Sequence, residues 1–239
     1  MCGGVDRLLV YSFVCKPGDN ATVIAQQVGR PLPTSYGAPN GTVWLPAEED
    51  FTLQEKDSWF YNGQLGVRTP AELRTMYETS SGGNTGMIIS IGPFANGSVS
   101  QDQAAAAAAL GTFVRRCYGA GKAVATTAAA TSNKSITITP AKPSEVDRIQ
   151  IREDQSKGQL VREFHLTAKL ANGTIAVLCP KKTSSIGNKF ICVLDAPLTV
   201  TSLSLALVGA AGTAPRITQL AAFRCGHVAA EIDAEWRAE

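Results

Sequence analysis

The chain has 239 residues, of which 44% are hydrophobic, 7% aromatic and 18% charged; that is enough apolar material to bury a core, and it excludes global disorder. Its 22 basic and 20 acidic side chains leave a formal charge of +2, too weak a field for a nucleic-acid or anionic-membrane partner. No run approaches the roughly 20 apolar residues of a membrane-spanning helix, and the run at 8–14 lacks the flanks of a whole secretory signal.

Residues 1–40 alternate apolar runs (8–14 and 21–28) with the turn formers Pro17-Gly18, Pro31, Pro33 and Pro39, and define no fold by themselves. Chemistry concentrates next, in Val43-Trp44-Leu45-Pro46-Ala47-Glu48-Glu49-Asp50 followed by Trp59-Phe60-Tyr61, where two of the three tryptophans flank three consecutive carboxylates. Tryptophan faces pack on the C–H face of a sugar, and a carboxyl group held against apolar walls keeps its proton toward neutral pH and can donate it. The plainer reading is a solvated acidic run before a loop, beside tryptophans that fill a core.

Thr69-Pro70-Ala71-Glu72 carries a capping hydroxyl, a proline at the first helical position and a glutamate that reaches back to the cap, so a helix starts there. Its apolar face is Leu73, Met76 and Tyr77, and Ser81-Gly82-Gly83 ends it. The glycine cluster at 82–86 precedes a strand and lacks the lysine and spacing of a phosphate loop, so it is a connection. Residues 87–91 read as a buried strand stopped by Gly92-Pro93. Ser100 to Gln103 offers a second capping box for a helix through Tyr118, with Leu110, Phe113, Val114 and Cys117 inward and Gly119 and Gly121 closing it. Helix, apolar strand and helix imply α/β packing on a parallel sheet with both faces of the strand covered.

After Gly121 the period changes to two. Eight strands are expected, over 123–127, 135–139, 146–152, 160–170, 174–179, 189–194, 199–208 and 217–224, which indicates an antiparallel sandwich or jelly roll. The tail at 226–239 frays or forms a short helix. The expected units are 1–120, 121–225 and 226–239.

Six cysteines without CxxC spacing exclude zinc-ribbon and thioredoxin chemistry and leave buried thiols or disulfides. The two histidines, His165 and His227, are too few for a triad or metal site with any redundancy, and His165, between Arg162, Glu163 and the rest of its strand, is assigned no role. Asn-X-Ser/Thr triplets at Asn20, Asn40, Asn96, Asn133 and Asn172 use five of the eight asparagines. They read as glycosylation acceptors of a secreted or lysosomal protein, or as turns, because Asn-Gly recurs at 40–41, 96–97 and 172–173.

Together these segments resemble the α-L-fucosidase family of glycoside hydrolases, family 29. Trp44-Leu45-Pro46-Ala47-Glu48 is similar to the family's W-x-P-x-E segment and Trp59-Phe60-Tyr61 to its W-F-Y segment. Glu72-Leu73, Tyr77 and Gly83-Asn84, running into Ile88-Ile89-Ser90-Ile91-Gly92-Pro93, resemble the helix and strand that finish the family's barrel. Val146-Asp147-Arg148-Ile149 with Glu153, Gly158-Gln159 with Val161-Arg162, and Ile186-Gly187-Asn188-Lys189 resemble its carboxy-terminal sandwich. The likeness covers roughly residues 40 to 225 and departs at Asn62, Ser90 and Ala95, where the family has a histidine, an asparagine and a frequent aspartate.

The resemblance implies an α/β unit over 1–120 that is part of a (β/α)8 barrel, then an antiparallel β-sandwich of jelly-roll or galactose-binding-like form over 121–225. It implies a retaining glycosidase that releases terminal L-fucose from fucosylated glycans with no metal or organic cofactor, Glu48 as acid/base and Trp44 and Trp59 shaping the sugar pocket. Retention needs a second carboxylate about 5–5.5 Å away, in this family an aspartate on an earlier barrel strand. Only Asp6 and Asp19 precede Glu48, and a whole barrel takes about 250 residues. The chain is therefore expected to be a carboxy-terminal portion, inactive alone, completed by a missing amino-terminal barrel segment or by forming a homo-oligomer. The alternative is a non-catalytic carbohydrate-binding or interaction module in the sandwich, although the aromatics of 122–225 are only Phe164, Phe190 and Phe223.

Overall fold

A parallel strand pair with helices on one side precedes a larger antiparallel sheet. The structure, a computed structural model, describes residues 47–55, 58–127, 135–156, 158–180, 186–210 and 215–238. The apolar runs of 1–40, Trp44, Cys2, Cys15 and the triplets at Asn20, Asn40 and Asn133 lie outside the described residues.

Strand β1 (Ala47–Thr52) pairs in parallel with β2 (Thr85–Ser90), from Ala47 opposite Thr85 to Thr52 opposite Ser90. Helices α1 (Pro70–Thr79) and α2 (Gln101–Tyr118) cover one side. There Phe51 and Leu53 pack with Leu73, Ala106 and Leu110, and with the partly buried Met87 and Ile89. Two expectations are corrected. The acidic run is a strand, because alternation lets Glu49 and Phe51 turn inward while Asp50 stays exposed. Among the described residues, the strand at 87–91, observed as β2, is covered by helices on one face only: Ile88 is 44% exposed, and both helices sit on the other side.

The first cap forms as expected. The Thr69 hydroxyl accepts from the Glu72 amide, and the Glu72 carboxylate accepts from the Thr69 amide at 2.8 Å. At the second, Ser100 caps α2, but the Gln103 side chain turns to both backbone polar atoms of Gly92, at 2.9 Å each, and so pins the segment after β2.

The larger sheet has seven strands: β3 (Ala125–Thr126), β4 (Ser135–Ile138), β5 (Ser144–Glu153), β6 (Val161–Leu170), β7 (Ile175–Leu178), β8 (Phe190–Ala210) and β9 (Ile217–Phe223). The eight expected strands become seven because the runs at 189–194 and 199–208 join as β8, 21 residues long. Its first half pairs with β5 and its second with β6 and β4, so one strand serves both layers of a sandwich. The layers meet in one core holding Ile149, Phe164, Leu166, Phe190, Leu203 and Leu220, where Phe164 and Phe190 pack edge to face at 5.1 Å. Pro197 does not break β8: Val146 opposes Leu198 and Arg148 opposes Val193, so the proline lies in a stretch that β5 leaves unpaired.

The same irregularity frees Asp147, whose carboxylate accepts from the Cys225 and Gly226 amides at 2.8 and 2.6 Å. It thereby caps α3 (Gly226–Ala238), the tail helix. Val228 and Ile232 of α3 pack with Phe113, Cys117 and Phe223; Asp233 takes both guanidinium nitrogens of Arg74 at 2.7 Å, and Glu231 pairs with Arg116. Four cysteines form disulfides: Cys117–Cys225 joins α2 to the start of α3, and Cys179–Cys192 joins the end of β7 to β8.

Candidate functional site

The carboxylate segment and the Trp-Phe-Tyr segment are carried by the β1–β2 pair. Glu48 stands in β1 opposite Gly86, at the second of six register positions. Beyond the sixth, Gly92 passes directly under the later segment; a Cβ on it would come 2.8 Å from the Tyr61 nitrogen and 3.0 Å from the Phe60 carbonyl carbon. Tyr61 packs against Phe94 with ring centroids 4.1 Å apart and planes tilted by 46°, and the buried Gln54 side chain donates to the Asn62 carbonyl at 2.8 Å and accepts its amide at 2.9 Å. Asn62 itself caps a turn, its side-chain oxygen accepting from the Gln64 amide. The result is a fixed loop at the carboxyl end of the strands that leaves Trp59 40% and Phe60 80% exposed.

Trp59 and Gly92 are thus gathered at one end of the pair. Glu48 is four register steps, about 13 Å, short of the last pair, Thr52 with Ser90. Trp44 lies outside the described residues.

The neighbouring carboxyl group, that of Glu49, meets apolar walls. It is 2% exposed on the helix side, one carboxylate oxygen has no hydrogen-bond partner, and burial raises its pKa to about 7. The Thr85 hydroxyl, two register pairs away and so on the same side, is also buried without a partner. Residue spacing could have found Glu49: it is in phase with Phe51 and Leu53 once the run is read as a strand. No group of three or more His, Cys, Asp or Glu able to hold a metal ion occurs among the described residues. His165 is exposed, 3.5 Å from Glu163.

The other motifs that carried the resemblance meet elsewhere, at the joint between α1 and the sandwich. The Gly82 carbonyl accepts from the Ile191 amide at 2.7 Å, and Gly83 bridges to Phe190. Asn84, held at φ +67°, donates to Gln159 at 3.0 Å and accepts the Asn188 amide at 2.6 Å. Glu153 gathers the amides of Leu160, Val161 and Gly187; burial raises its pKa while those three donors pull it down. Beside them Arg148 donates to the buried Glu78 at 2.6 Å, and Glu78 also accepts from the Tyr118 hydroxyl at 2.7 Å. These groups do the work of docking: their polar atoms are satisfied by one another across the joint.

No family model matches the chain, and no curated relative matches it. Solved structures do. A protein assigned as an α-L-fucosidase from Bacteroides thetaiotaomicron VPI-5482 is 25% identical with a TM-score of 0.71, covering 79% of this chain and 43% of that one. A glycoside hydrolase 29 family member from an unknown rumen bacterium is 23% identical, TM-score 0.70, with 80% and 35% covered. A Ruminococcus gnavus glycoside hydrolase 29 fucosidase, solved with fucose, is 18% identical, TM-score 0.68, with 81% and 44% covered. The chain is thus similar in structure to α-L-fucosidases of glycoside hydrolase family 29 and spans 35–49% of the length of those it matches. Its antiparallel domain matches their carboxy-terminal sandwich.

Proposed function

We propose that this chain supplies the closing (β/α) elements of a barrel (residues 1–120), the appended sandwich (121–225) and the tail (226–239) of an α-L-fucosidase, a retaining hydrolase that frees terminal L-fucose from glycoconjugates. The observation that carries the reading is a likeness to fucosidases that spans four-fifths of the chain. In keeping with it, Asp50 and Ile88 on the even-numbered face of β1 and β2 are exposed, and among the described residues the helices pack on the other face, as they would outside a barrel. Glu48 is proposed as the acid/base, protonating the glycosidic oxygen and then activating water, with Trp44 and Trp59 as walls of the sugar pocket. The nucleophile must come from another strand, because Asp50, two residues along the same strand, cannot attack from the opposite face of the sugar. A preceding segment or a second copy would supply it. The disulfides and the exposed turns at Asn96 and Asn172 favour a secreted or lysosomal glycoprotein. The reading as a sugar-binding sandwich is weakened because Phe164, Phe190 and Phe223 are all buried and offer no stacking surface.

The test is release of p-nitrophenol from the aryl α-L-fucoside. The 239-residue chain should not exceed the blank. Extended in frame by about 150 residues or more, it should turn over, and Glu48→Gln should lower kcat by about 10²–10⁴. Loss in Asp50→Asn with Glu48→Gln intact would move the acid/base to Asp50. An inert extended protein would sink the fucosidase reading, and Glu48-dependent turnover by the 239-residue chain would sink its inactivity.

A further inference from the structure

Two cations stand side by side at the joint, and among the described residues no acid pairs with either. Ile151 of β5 opposes Phe190 of β8, so the next step along each chain brings Arg152 and Lys189 across from each other. They share the face on which Arg148 meets α1. Like charges so placed repel. Neighbouring cations here are matched, Arg148 by Glu78 and Arg74 by Asp233. Among the described residues, Arg152 and Lys189 make no ion pair. Arg152 Nε is buried without a hydrogen-bond partner, a costly state for a charged donor. Among the described residues Lys189 Nζ meets Tyr77, donating to its hydroxyl at 3.0 Å and lying 5.0 Å from its ring centroid. Burial and the charge of Arg152 hold Lys189 down to about 8, with no carboxylate acting the other way.

We propose that Arg152, Lys189 and the Tyr77 hydroxyl form a binding site for a small tetrahedral oxyanion, sulfate or phosphate, either free or as a monoester on a glycan. The guanidinium offers a fork of N–H donors that includes the unused Nε, and the ammonium adds a point charge. The Tyr77 hydroxyl, which accepts from Lys189, keeps its own proton to donate. A bound oxyanion would offset the repulsion and, once the guanidinium turns its fork outward, give the orphaned donor a partner. The site lies on the helix side of the joint, apart from the free face of β1 and β2, and does not depend on the fucosidase reading.

The experiment is thermal unfolding of the full chain at pH 7 and constant ionic strength in chloride, sulfate, phosphate or galactose 6-sulfate. A saturable rise in Tm of about 3 °C over chloride is expected with an oxyanion, and Arg152→Gln or Lys189→Met should abolish it. A rise with the inorganic ions assigns the free anion; a rise with the sugar sulfate alone assigns the ester. A second readout needs no variant: acetylation of Lys189 under limiting reagent, followed by mass spectrometry, should slow several-fold in the effective anion. An equal rise in chloride, an undiminished rise in Arg152→Gln, or unchanged acetylation of Lys189 would overturn the proposal.

Discussion

At the scale of single residues, burial perturbs the Glu49 carboxylate, and the sign of its effect follows from that burial. A folded-state pKa near 7 against an ordinary 4.5 means that the folded protein prefers the neutral acid. Its contribution to stability is complete below about pH 4.5 and is lost as pH rises through about 7. Glu49→Gln, which keeps the shape and removes the charge, should therefore stabilise the protein at pH 8 by about 1–3 kcal/mol and change little at pH 4. Urea unfolding of both proteins at the two pH values checks this. A pH dependence identical in the two would show that another group carries it. Glu49 also marks where residue-by-residue reading stops short: three carboxylates in a row look solvated, and only pairing with β2 reveals that Glu49 is enclosed.

Among elements, the junction between α1 and the sandwich depends on close backbone approach. A Cβ on Gly82 would collide with the Glu78 carbonyl and lie 2.8 Å from the Ile191 Cβ. Gly82→Ala should cost about 1–3 kcal/mol or more in denaturant unfolding. Gly173→Ala, at φ +88° in an exposed turn with nothing within 4 Å, should cost only about 1 kcal/mol. A reversed order would contradict the docking role. The helices were legible because their ends are written locally: Thr69, Pro70 and Glu72 act within one turn, as do Ser100 and Gly119. β1 and the continuity of β8 were not, since both depend on a partner strand. Pro197 breaks the pattern of alternation, yet it sits where β5 makes no demand on it. The motifs that carried the resemblance were visible as letters, but their joint was not: Asn84 meets Gln159 and Asn188 across 75 and 104 positions of chain.

For the whole molecule, the crosslink between Cys117 and Cys225 closes a loop of 108 residues that contains nearly all of the sandwich. Its removal in a Cys117→Ser, Cys225→Ser double variant should lower unfolding stability by about 2–5 kcal/mol, measured by urea titration in non-reducing buffer. An unchanged midpoint would mean that the packing of α3 on α2 suffices without it. The tail helix makes a similar tie: Asp147 of the sandwich caps α3, and Arg74 holds α3 to α1, so the tail fastens the helices that pack on β1 and β2 to the sandwich. The single 21-residue strand shared by both leaves of the sandwich has a mechanical corollary. Tension applied at either end runs through a common spine, so neither leaf can be peeled away while the other survives, and a cut near Pro197 would disable the pair together.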